Sequence, residues 1–203
     1  MFVGTPTAHM TQTEIATEFR PTVAPAVPAR KERVRFDSDL VQRARAGDED
    51  ALGEIYRGFS PLVHGIALSR LPYDEVQDIV QDVFISAFKN LHTLRDPGAV
   101  GPWLAMITRN RTVEYYRQSR PSEELQEELR GKNDQRAEAL EVLTTIRTLP
   151  ESYRETLILR LVEGMTGNEI ADRTGLSPDS VRVNLHRGMG LLREKLGISG
   201  AKR

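Results

Sequence analysis

The chain has 203 residues, 39% of them hydrophobic and 28% charged, with a formal net charge of −1 and no cysteine. Disulfides, thiol redox switching and cysteine-ligated zinc are therefore excluded. With no run of about 18 apolar residues and no continuous apolar leader, it reads as a soluble cytoplasmic protein of one or two small domains, without membrane insertion.

Residues 1–36 are rich in alanine, proline and threonine and lack periodicity, so they read as a disordered N-terminal arm. From residue 37 the spacing turns helical. Leu40, Val41, Ala44 and Ala46 form a first apolar face, which Gly47 and Asp48 break. Ala51, Leu52, Ile55, Tyr56 and Phe59 make a second, and Val63, Ile66, Ala67 and Leu71 follow up to Pro72. Residues 74–91 predict a long helix burying Val76, Ile79, Val80, Val83, Phe84, Ala87 and Phe88. Glycine and proline make 96–102 a loop, and 103–119 return to helix. Residues 121–138 hold six acids against three bases and read as a flexible acidic linker. Helices over 140–149 and 152–163 precede a C-terminal motif. No strand alternation is present. The fold class is all-α: two small helical domains joined by the linker and ending in a helix-turn-helix.

That motif runs from Thr166 to Arg187. Thr166 and Glu169 form a capping box, Gly175 supplies a left-handed turn, and Ser177 with Pro178 opens a second helix reaching Leu196. Val181, Leu185, Leu192 and Leu196 give that helix one apolar stripe. Asp179, Val183, His186 and Arg187 fall on the opposite side, with Arg182 at its edge. A major groove admits one helix, read from its N-terminal end. The chain is near neutral overall, but residues 182–203 carry six basic residues and one acid, and local fields set phosphate affinity.

The helix from Trp103 combines cations and aromatics. Arg109, Tyr116 and Arg120 share one side, with Arg117 nearby, while Leu104, Ile107 and Trp103 point elsewhere, into a core. Arginine pairs with phosphate and tyrosine or tryptophan can stack an unpaired base, so this helix after a Gly/Pro loop suits a partly unstacked strand. Catalysis has no support. No Ser/His/Asp order, phosphate loop or His-Glu-x-x-His appears, and neither a metal nor a cofactor is expected.

Four ordered segments resemble bacterial RNA polymerase sigma factors of the extracytoplasmic-function (ECF) group. These are residues 39–52, the Gln-Asp-Ile-Val-Gln-Asp-Val-Phe run ending at Phe84, the helix from Trp103 to Arg117, and the Leu-Pro-Glu-Ser-Tyr-Arg-Glu run from Leu149. The resemblance implies a region-2-like domain over 37–120, a linker over 121–138 and a region-4-like domain over 139–203. It places Asp78, Gln81, Asp82 and Phe84 on or near the surface that docks on core RNA polymerase. It assigns Trp103, Arg109, Asn110, Glu114, Tyr116, Arg117 and Arg120 to the promoter −10 element, and Ser180, Arg182, Val183, His186 and Arg187 to the −35 element. Promoter DNA, core polymerase and an anti-sigma protein are the implied partners, and packing of the two domains on each other in the free protein is implied as well. Arg111, Glu114, Asn184, Gly188 and Gly190 depart from the family's usual residues, and the two glycines predict weaker phosphate contacts or a kink. Two other readings stay open: a polymerase-independent dimeric regulator and a helical adaptor.

Overall fold

The computed structural model describes residues 38–118 and 134–198; the arm, Arg120 and most of the expected linker lie outside the described residues. Helix α1 (Ser38–Arg45) buries Leu40, Val41 and Ala44. Asp48 then caps α2 (Glu49–Leu68) by accepting from the Ala51 N–H, and it also pairs with Arg43 at 2.7 Å. The two apolar runs at 51–59 and 63–71 belong mainly to this one helix. Pro61 lies inside it and forgoes one backbone hydrogen bond without ending it.

The expected helix over 74–91 divides into a 3-10 turn (Tyr73–Glu75), α3 (Val76–Lys89) and a second 3-10 turn (Leu91–Thr93). Arg45 fixes that last turn by donating to the carbonyls of Leu91 and Leu94. Asp96 caps a further 3-10 turn (Pro97–Ala99) through the Gly98 N–H, and α4 (Val100–Gln118) follows at once. The helix thus starts three residues earlier than glycine and proline content predicts. Pro102 is its third residue, where backbone N–H groups have no partner within the helix and proline is tolerated.

The second group is α5 (Asp134–Arg147), α6 (Glu151–Leu161), α7 (Gly167–Thr174) and α8 (Pro178–Lys195). Helix α5 begins inside the stretch whose polarity predicts linker, because residues 135–140 are strong helix formers regardless of charge. Helix α6 is the centre of the group and packs on α5, α7 and α8. Its consecutive Leu157, Ile158 and Leu159 are all fully buried, each stabilising the fold by roughly 1.5–3 kcal/mol relative to exposure.

Helix α6 also packs on α2, and α7 packs on α4, so the two groups meet along a seam. The described residues fall within one compact unit. Two glycines set the closeness of the seam. A Cβ on Gly65 would lie 2.7 Å from a Leu159 methyl, and one on Gly101 would lie 2.9 Å from the Arg173 carbonyl oxygen. Arg173 also donates to the Gly58 carbonyl at 2.8 Å. Among the described residues there is no strand, and no helix is long and apolar enough to cross a membrane.

Candidate nucleic-acid interface

The α7–turn–α8 unit is assembled by local chemistry. The Thr166 side chain accepts from the Glu169 N–H at 3.2 Å, and the Glu169 carboxylate accepts from the Thr166 N–H at 2.8 Å. Gly175 ends α7 at φ 78°, a left-handed backbone that an L side chain resists. Ser177 starts α8 by accepting from the Ser180 N–H at 3.1 Å, with Pro178 in the first turn. Val181 and Leu192 are buried, which turns Ser180, Arg182, Val183, His186 and Arg187 outward, all exposed. Arg182 is held by Asp179 at 3.0 Å. So exposed a pair is worth at most about 1 kcal/mol, and the guanidinium is easily released to a phosphate or base.

The glycines of α8 do not kink it, since the helix runs unbroken from Pro178 to Lys195. A Cβ on Gly188 would lie 3.1 Å from both Leu157 and Tyr153, so this glycine lets α8 cross α6 closely. Gly190 has nothing within 4 Å of such a Cβ and no packing role.

Helix α4 presents its residues on two sides. Asn110, Glu114 and Arg117 are exposed, and the exposed Met106 and Val113 extend their face. Glu114 pairs with Arg111 at 2.9 Å. Trp103 packs partly buried against the core. Arg109 instead faces the seam, and Tyr116, 55% exposed, lies at its edge. The Arg109 guanidinium donates to both Glu155 oxygens, at 3.0 and 2.5 Å, and Glu155 pushes its pKa above the ordinary arginine value. The Tyr116 hydroxyl donates to the Arg70 carbonyl at 2.5 Å. The helical wheel groups Arg109 with Tyr116, but only Arg109 is bonded to α6, while the Tyr116 ring stays largely open to solvent.

Asp78, Gln81 and Asp82 are exposed along α3. Phe84 is not on that surface. It is 3% exposed, with its ring centroid 4.6 Å from Tyr56 and 5.7 Å from Phe88, because it falls on the apolar stripe with Val80 and Ala87. It supports the exposed carboxylates from beneath. Beside them Asp82, Ile85, Ser86, Lys89, Asn90 and Arg111 line an open cavity of about 320 Å³. Ile85 is 45% exposed there, an apolar contact residue that the stripe rule passes over.

Sequence reasoning missed a charged cluster in the seam. Arg70, just after α2, donates to Glu151 and lies 3.7 Å from Glu155. Arg147 donates to the Leu68 carbonyl at 3.1 Å, and Arg154 donates to the Arg147 carbonyl at 3.2 Å. His64 bonds to Glu163 at 2.6 Å. Burial pulls the Arg147 pKa below its ordinary value. Arg70 Nε, Arg154 Nε and one terminal nitrogen of Arg147 are buried and find no hydrogen-bond partner among the described residues. Such a donor costs about 1–3 kcal/mol while it stays unmet. The sequence signal was the Glu-Ser-Tyr-Arg-Glu run opening α6, whose charges fall at helical spacing.

Both helical groups are similar to known proteins. A model of sigma-70 region 2 matches residues 55–121, and a model of sigma-70 region 4 matches residues 139–192. The chain is 31% identical over 127 residues to RNA polymerase sigma factor SigZ of Bacillus subtilis, covering 60% of this chain and 72% of that one. It is 24% identical over 176 residues to ECF RNA polymerase sigma factor SigW of Bacillus subtilis, covering 77% and 94%. It is 27% identical over 179 residues to the ECF RNA polymerase sigma-E factor of Haemophilus influenzae, covering 79% and 95%. Among solved structures it is similar to CnrH in complex with the cytosolic domain of CnrY, with 26% identity and a TM-score of 0.59 over 81% of this chain and 99% of that one.

Proposed function

The chain belongs to the RNA polymerase sigma factors, in the extracytoplasmic-function group of the sigma-70 family, and serves promoter recognition and transcription initiation; from that premise we propose how its surfaces divide the work. It is a transcription regulator rather than an enzyme in the usual sense. Helix α8 enters the major groove of the −35 element, with Ser180, Arg182, Val183, His186 and Arg187 reading or clamping it. The observation that carries this reading is the contiguous exposure of those five side chains at the N-terminal half of α8, opposite its buried stripe.

The −10 element falls to α4. Asn110, Glu114, Tyr116 and Arg117 are open to solvent, and Arg109 joins them once α6 moves away. Trp103 lies in the first turn of that helix, close after the Pro97–Ala99 turn. Melting follows from differential binding: a surface that holds flipped, unpaired bases draws the duplex toward the open state. Core polymerase docks on Asp78, Gln81, Asp82 and the neighbouring Ile85. Docking and DNA entry at α4 require the Arg109–Glu155 contact to break, so core binding and separation of the two helical groups are coupled. An anti-sigma protein, of the kind whose cytosolic domain accompanies CnrH, would act by holding the groups packed.

Transcription by core polymerase with this chain, on a promoter pool, tests the reading. New start sites sharing −10 and −35 motifs are expected, and they should be lost with Arg182→Ala plus Arg187→Ala and with Asp78→Ala plus Asp82→Ala. Transcription indistinguishable from core alone would overturn it.

A further inference from the structure

A cavity of about 210 Å³ opens in the seam, lined by Arg70, Thr112, Val113, Tyr116 and Arg154. Its walls come from both helical groups: Arg70 follows α2, the next three lie on α4, and Arg154 lies on α6. Arg109 and Arg147 border the same cluster through Glu155 and Tyr116. Against these four cations the hydrogen bonds and ion pairs of the seam supply two carboxylates, Glu151 and Glu155. Three of these four guanidinium groups, on Arg70, Arg147 and Arg154, each have a nitrogen that is buried and unmatched among the described residues. Buried charge of this kind is stable when an opposite charge completes it.

We propose that this cavity binds carboxylate side chains from an acidic peptide segment of a partner protein, held between the guanidinium groups of Arg70 and Arg154. A guanidinium presents a planar fork that matches carboxylate and phosphate alike. The apolar part of the lining favours carboxylate. Val113 and the Tyr116 ring form an apolar wall suited to the methylene stem of glutamate, whereas a phosphate brings no apolar part to bury. Because the walls belong to both groups, an occupied cavity ties them together and opposes release of Arg109. The inference concerns the free chain and does not depend on how α4 or α8 meets DNA.

The test is calorimetric titration of the full chain, without polymerase or DNA, using hexaglutamate, hexaglutamine and inorganic phosphate at matched ionic strength. Hexaglutamate is expected to bind at least about tenfold more tightly than hexaglutamine and to lose at least about tenfold in Arg154→Gln. Arg154→Lys should fall between, and Arg193→Gln, on the far part of α8, should match the wild type. Circular dichroism checks that each variant folds, and Arg70→Gln replaces Arg154→Gln if the latter does not. Equal binding of the two peptides, or equal losses in Arg154→Gln and Arg193→Gln, would overturn the site. Displacement of hexaglutamate by phosphate would overturn the carboxylate assignment. If the wild type binds neither peptide, the chain with Glu123, Glu124, Glu127 and Glu128 all changed to Gln decides the matter. Arg154-dependent hexaglutamate binding there supports the cavity, with the chain's own acids as its competitor, and no binding there refutes it.

Discussion

Helices α4 and α8 carry similar side chains to different situations. Both place arginines beside apolar or aromatic residues on a helix face. On α8 the five residues proposed to meet DNA are all exposed, and the ion pair that one of them makes, Arg182–Asp179, is weak. On α4 the equivalent set is divided, with Asn110, Glu114, Tyr116 and Arg117 outward and Arg109 bonded into the seam. Composition specifies which residues are able to meet DNA. Packing decides which of them are free to do so, and here it makes one surface ready and the other conditional.

The largest expected effect breaks the ready side. Arg182→Ala with Arg187→Ala removes two exposed cations from the groove-facing end of α8. Affinity for −35 duplex should fall by about 2 kcal/mol or more, roughly thirtyfold, and the slope of log affinity against log salt should drop by about 2. Filter binding or anisotropy across a salt series measures both, and an unchanged slope would count against phosphate contact by these residues.

The next effect releases the conditional side by steric means. In Gly101→Leu the new side chain meets the Arg173 backbone, with the carbonyl oxygen at 2.9 Å and the Cα at 3.0 Å. Backbone does not yield as a flexible side chain does, so packing of α4 on α7 should weaken by about 1–3 kcal/mol. Small-angle scattering should show a larger radius of gyration, while −35 duplex affinity stays within twofold. Scattering identical to wild type would mean that the seam tolerates the side chain.

The smallest effect separates the two glycines of α8. Gly190→Ala should stabilise the protein by up to about 1 kcal/mol, since glycine is a poor helix former and this site is open. Gly188→Leu should destabilise it by about 1–3 kcal/mol by pushing α8 off Leu157 and Tyr153. Thermal unfolding of both variants checks the opposite signs.

Much of this was legible in the sequence, where local rules coincide. The Thr166–Glu169 box, the Gly175 turn and the Ser177–Pro178 start fix α7 and α8 through contacts within four residues. The exposed set on α8 follows from Val181 and Leu192 facing inward. The boundaries that shifted did so where one rule overrode another. Pro102 reads as a loop residue but sits in a first helical turn, and residues 135–140 are polar yet strong helix formers. The standing of Arg109 and Tyr116 was not legible, because their partners Glu155 and Arg70 lie 46 residues away in opposite directions. Phe84 shows the reverse case: a motif position beside exposed acids is itself core, since helical spacing sets its direction.

The central claim is that packing against α6 withholds part of the −10 surface in the free chain, and Glu155→Ala tests it most directly. Removing this carboxylate deletes a charge-assisted pair worth about 1.5–3 kcal/mol to the packed form. Affinity of the free protein for single-stranded −10 DNA should then rise by about tenfold, because a larger share of molecules has α4 uncovered. Affinity for −35 duplex should not change. A parallel rise for both probes, or none for the single strand, would contradict the account.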